Sequence, residues 1–116
     1  MQAEIQTFEV EIKQAQKVNA TLLLRHIEGA QTPSVKAEVT ITSNQQEWKT
    51  IPINIAIMNE DGDYLGNGSG DMWDVDTPIF QGLLMEAGQY SFTIKQVQQA
   101  RVPLIMEVGL QLEEAP

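Results

Sequence analysis

Along most of the chain, apolar and polar residues alternate with a period of two. Phe8, Val10 and Ile12 alternate with Glu9, Glu11 and Lys13. Val18, Ala20, Leu22 and Leu24 alternate with Asn19, Thr21 and Arg25, with Leu23 an apolar residue on the polar side. The same rhythm runs through Val35, Ala37, Val39 and Ile41, through Ile51, Ile53, Ile55 and Ile57, through Tyr90, Phe92 and Ile94, and through Val108, Leu110 and Leu112. Successive strand residues point to opposite faces, so this pattern predicts strands with one buried and one wet face. On that reading the four isoleucines share one buried face, with Phe92, Ile94, Val108 and Leu110 across the core from them. These stretches, with weaker candidates near Tyr64 and Ile79, make about eight strands. That number suits an all-β fold, an antiparallel β-sandwich of jelly-roll type. Pro52 cannot donate to a ladder, which places its strand at an edge or Pro52 at its start. Gln96 to Arg101 is rich in helix formers, but Pro103 stops any helix within about two turns. The segments from Glu28 to Pro33 and from Ser43 to Gln46 read as connecting loops.

The alternation breaks between Asn59 and Asp76, NEDGDYLGNGSGDMWDVD. This segment holds every aspartate of the protein and no Lys, Arg or His. Glycine permits positive φ and Asp hydrogen-bonds its own backbone, so both mark turns. With Tyr64 and Trp73 embedded, the segment reads as a specialised loop system on a β scaffold. Its candidate binding residues are Asp61, Asp63, Tyr64, Asp71, Trp73, Asp74 and Asp76. Asn59, Asp61 and Asp63 have the spacing of the first ligands of a calcium loop, but an EF-hand then needs Gly and Glu where Tyr64 and Gly70 stand. A hairpin turn at Glu60-Asp61-Gly62 is the commoner use of such residues, and no metal site is expected. Gly66-Asn67-Gly68-Ser69-Gly70 lacks the Lys-Ser/Thr ending of a phosphate loop and reads as a wide turn or bulge. Trp73 between Asp71 and Asp74 has the composition of a sugar platform, extendable by Trp48 and Tyr64, yet an indole equally fills a core. His26 is the sole histidine and reads as a strand end, its polar groups in solvent or on loop carbonyls. No Ser-His-Asp context surrounds it, so no catalytic residue, enzyme activity or cofactor is expected. On the residues alone, a carbohydrate- or calcium-binding sandwich module stays open beside an interaction module.

Size and charge narrow the function further. A chain of 116 residues is expected to form one domain over 1–116. Its net charge of −9, with seven basic residues, cannot build a phosphate-neutralising footprint, which excludes nucleic acid as a partner. The same charge disfavours direct docking on an anionic bilayer and favours basic partners. No apolar run approaches the ~20 residues of a membrane span. No signal peptide opens the chain, and Met1 reads as an added start on a trimmed sequence. With no cysteine there is no disulfide, thiol catalysis or zinc-thiolate site.

Four segments, in order, carry a family resemblance. Asp61-Gly62-Asp63-Tyr64-Leu65-Gly66, followed by Gly68 and Gly70-Asp71, resembles the D-G-aromatic-L-G-x-G-x-G segment of the GldH-type gliding-motility lipoproteins. Gly88-Gln89-Tyr90-Ser91-Phe92-Thr93-Ile94 with Gln96 is similar to that family's G-x-Y-x-F-x-i-x-Q strand. Ile105-Met106-Glu107-Val108-Gly109-Leu110 resembles its closing I-M-x-V-G-L strand, and Leu22-Leu23-Leu24-Arg25 its l-x-l-R strand. Two departures stand out: Val97-Gln98-Gln99-Ala100 replaces the family's Met-Arg-Asp segment, and the lipid-carrying cysteine is absent. The resemblance implies a non-enzymatic cell-envelope domain, periplasmic or at the outer membrane, whose anchor segment precedes Met1. It implies partners among other envelope or motility-machinery proteins, and membrane contact only through an N-terminal lipid.

Overall fold

The computed structural model describes residues 5–29, 33–44, 46–97 and 105–116. The alternating stretches become β1 Ile5–Ile12, β2 Gln16–Ile27, β3 Ser34–Ser43, β4 Gln46–Ala56, β5 Asn67–Ser69, β6 Met72–Met85, β7 Gly88–Gln96 and β8 Ile105–Glu114. They form two antiparallel four-stranded sheets, ordered β1-β7-β3-β4 and β5-β6-β2-β8. The pairs β3–β4 and β5–β6 are hairpins, while the other connections pass between sheets. That traffic ties the two sheets into one sandwich, the fold class the alternation predicts.

The core is the sum of the inward phases. Leu22 and Leu24 of β2 face Val39 and Ile41 of β3, Ile53 and Ile55 of β4 and Phe92 of β7, all buried. Ile53, Ile55 and Ile57 are buried as expected, but Ile51 is only half-buried. Phe92 and Ile94 do not lie across the core from them. They belong to the same sheet, where Ile94 pairs with Val39 and Val39 with Ile51. The residues opposite come from β2, β6 and β8, with Val108 and Leu110 half-buried at the sheet edge. Pro52 sits inside β4, and β4 ends its sheet, the place where a strand tolerates a missing N–H.

Two readings of the central segment are corrected. Asn59–Asp76 is not one loop: β5 and the first residues of β6 pair within it, Asn67 with Asp74 and Ser69 with Met72. Tyr64 makes only an isolated bridge to Met58 rather than a strand. Ile79 lies in β6, the longest strand, which runs through Pro78. The register slips there, and the extra residue turns both Ile79 and Phe80 toward the core. Asn19 Oδ1 accepts the Gly82 N–H at 2.8 Å beside the slip. Of the helix-forming stretch from Gln96 to Arg101, Gln96 closes β7 and residues 98–101 lie outside the described residues, as do residues 30–32 of the first loop. Among the described residues, no helix is long and apolar enough to cross a membrane.

Candidate functional site

The seven candidate residues fall into three places. The first is the end of the sandwich where β2 finishes and β6 starts. His26 follows Leu22 and Leu24 in phase and so points inward, where it is fully buried. Its cross-strand partner is Trp73, which follows the phase of buried Val75. Tyr64 closes the group, its ring centroid 5.5 Å from that of Trp73 in a stacked arrangement and 5.7 Å from that of His26. Polar atoms at the rim tie this cap down. The Trp73 indole N–H donates to Glu28 Oε2 at 2.9 Å, and the Tyr64 hydroxyl accepts the Gly29 N–H at 2.7 Å. Gly68 stands opposite Trp73 on β5, and a Cβ there would come within 2.8 Å of the indole ring. Tyr64 and Trp73 therefore spend ring surface on one another and on the backbone of β5. They form a half-buried aromatic lid at this end, with Tyr64 against the buried His26, rather than part of the apolar core.

Of the two settings expected for the polar groups of His26 at the end of β2, solvent is excluded by its full burial, and contact with a carbonyl is what the structure shows. A carbonyl can only accept, so Nδ1 carries the proton in its 3.3 Å contact with the Ile27 oxygen. Nε2 is buried without a hydrogen-bond partner among the described residues.

The second place is the outer face of the β5-β6-β2-β8 sheet. Asp74 and Asp76 alternate with Val75 and so point outward, next to Arg25 and Leu23 of β2. Arg25 Nε donates to Asp74 Oδ1 at 2.7 Å and its Nη2 to Oδ2 at 3.1 Å, a two-pronged pair. The hydrogen bonds from Arg25 and its charge hold the Asp74 carboxyl below its ordinary value, and the carboxylate in turn raises that of Arg25. Glu107 of β8 reaches the same guanidinium more loosely, at 3.9 Å. Gly109 lies opposite Leu23 and leaves a shallow groove of about 180 Å³ between Leu23, Arg25, Asp76 and Glu107. One arginine among three carboxylates leaves this face acidic.

The third place is a pair of turns. The side-chain oxygen of Asn59 accepts the N–H groups of Asp61 and Asp63 at 2.9 and 3.0 Å, and the Asn59 N–H donates to the Asp63 carbonyl. The spacing that resembles calcium ligation is thus used for an Asx turn. Asp71 occupies the β5–β6 turn, where its carbonyl accepts the Glu28 N–H at 2.9 Å. Among the described residues, no three His, Asp or Glu side chains gather closely enough to hold a metal ion.

The structure thus brings Tyr64 to Trp73 and Asp74 to Asp76, and keeps Asp61, Asp63 and Asp71 apart on turns. Sequence reading missed Arg25 and Glu28 as partners. The signal for Arg25 was its phase opposite Leu24, which puts it on the face that Asp74 shares. The link from Glu28 to Trp73 joins residues far apart in the chain and leaves no local mark.

The sequence matches the family model of the GldH lipoproteins over residues 1–112. No curated protein and no solved structure matches it. The family match takes in all the strands up to Leu112, the Asx turn and the aromatic cap. The chain belongs to the GldH lipoprotein family.

Proposed function

We propose that this chain is the folded domain of a cell-envelope lipoprotein that works through protein–protein contact, without catalysis, in gliding motility or in the assembly of envelope proteins. The observation that carries the reading is the GldH lipoprotein match over residues 1–112. An N-terminal lipid holds the domain at the membrane, on the periplasmic side or at the outer membrane. Its partners are other proteins of the envelope or of the motility machinery. The physics of such a part is simple. Tethering replaces a search through three dimensions by a high local concentration. The net charge of −9 draws basic surfaces toward the domain over a range that salt shortens.

The test is complementation of a deletion strain with the full-length protein, scored by spreading on agar. Replacing the anchoring cysteine is expected to abolish rescue while the domain still accumulates. Full rescue by an untethered form kept in the cytosol would overturn the reading.

A further inference from the structure

The two flanks of the sandwich are closed differently. At one, β4 lies against β6, and β5 and the turn from Ile57 to Leu65 cover the gap between the sheets. Ile53, Ile55 and Ile57 are buried there. At the other flank β1 and β8 end their sheets. The inward residues Phe8, Val10, Val108, Leu110 and Leu112 reach the core but are only half-buried. Among the described residues no strand pairs with the outer edge of β1 or β8.

A bare edge presents unpaired N–H and C=O groups, which proteins commonly guard with Lys, Pro or bulges. β4 carries Lys49 and Pro52, and β6 carries Pro78. β1, IQTFEVEI, and β8, IMEVGLQLEE, contain no Lys, Arg or Pro. Their outward faces carry carboxylates beside Thr7 and Gln111 instead: Glu9 and Glu11 on β1, Glu107 and Glu113 on β8. Glu9 is already bonded to the Ser91 hydroxyl. Glu107 keeps 70% of its side chain exposed despite the distant Arg25.

We propose that the outer edge of β8 receives an extended segment of another protein as an added strand, and that this segment alternates apolar with basic side chains. Its apolar residues would cover Val108, Leu110 and Leu112, completing the core at its open flank. Its basic residues would face Glu107 and Glu113. Main-chain hydrogen bonds supply the pairing and the alternate side chains its selectivity. A second copy of this chain fits poorly. Antiparallel self-pairing centred on Leu110 sets Glu107 of each copy against Glu113 of the other, and like charges directly opposed weaken a strand pair. The inference deepens the proposed function and rests on it for the partner being a protein.

The experiment titrates the isotope-labelled chain with peptides of about ten residues and follows backbone amide NMR shifts. One peptide alternates Val and Lys. A second alternates Val and Glu, and a third is the Val–Lys peptide N-methylated along one edge. The Val–Lys peptide is expected to shift the amides of Glu107 to Glu113 saturably. The other two should bind at least about tenfold more weakly. The double variant Glu107→Lys, Glu113→Lys, at exposed positions, should keep its circular dichroism and reverse the preference between the Val–Lys and Val–Glu peptides. Shifts centred on Asp61 to Asp76, or equal binding after N-methylation, would overturn the proposal. Concentration-dependent shifts of β8 without peptide would overturn it in favour of self-pairing. If the peptide fails while rescue in cells still needs the lipid, the edge proposal alone falls. If it binds while an untethered form rescues, the lipoprotein reading alone falls.

Discussion

Gly62 and Gly66 both hold left-handed backbone, at φ of 83° and 92°, yet their surroundings differ. A Cβ on Gly62 would meet open space, whereas one on Gly66 would run into the carbonyl of Asp74. Gly62→Ala is therefore expected to cost about 1–2 kcal/mol, the strain of the backbone alone. Gly66→Ala adds the displacement of β6 and should cost about 3 kcal/mol or more. Urea unfolding of the two variants checks the ordering, and equal losses would refute the close approach. Asp74 offers a second test. Hydrogen bonds from Arg25, helped by its charge, hold the carboxyl below its ordinary value of 3.8. A depressed carboxylate adds stability that is complete above the unfolded value and lost as pH falls through the folded one. The pair therefore acts at neutral pH and fades in the acid range below 3.8. Carboxyl NMR titration of Arg25→Gln should return the Asp74 midpoint toward the ordinary value, and concentrated salt should narrow the difference in the parent chain.

At the scale of elements, β4 gives a graded experiment. Ile55 is buried and faces the opposite sheet, so Ile55→Ala should destabilise by about 2–5 kcal/mol. Ile51, half-buried on the same strand, should lose roughly half as much when truncated, because less of it leaves water on folding. Equal losses would contradict the burial gradient along β4. The strand itself was legible because four isoleucines in one phase admit no other period. Alternation also carries the placement of His26, which continues the phase of Leu22 and Leu24. Asp74 and Asp76 alternate with Trp73 and Val75 in the same way, so the start of β6 was present in the pattern beneath the glycines and aspartates. Sheet membership was not legible. Phase says which side of a strand is buried, but not which sheet holds it. Phase turns Phe92 inward without naming its sheet, and two pairings, β7 with β3 and β3 with β4, place it beside the isoleucines rather than across the core from them.

For the whole molecule, the dispersal of the carboxylates has a thermodynamic consequence. A ligand present at 100 times its Kd would add about 2.7 kcal/mol to stability. Millimolar calcium is expected to leave the melting temperature where it was, since no three acidic or histidine side chains gather among the described residues, the Asn59 oxygen accepts the N–H groups of Asp61 and Asp63, and the Asp74 carboxylate is paired with Arg25. A rise of several degrees that EDTA removes would contradict that arrangement. The topology also fixes a direction. The start of β1 pairs with the end of β7, beside the first residues of β3, and the Asx turn and the β5–β6 turn lie at that same end. The longest dimension of the molecule is 43 Å, and the turn between β3 and β4, with exposed Trp48 close by, lies at the opposite end. A lipid ahead of β1 would thus make the acidic turns the foot of the domain. Negative headgroups would repel that foot, and the β3–β4 turn would lie at the end away from the bilayer.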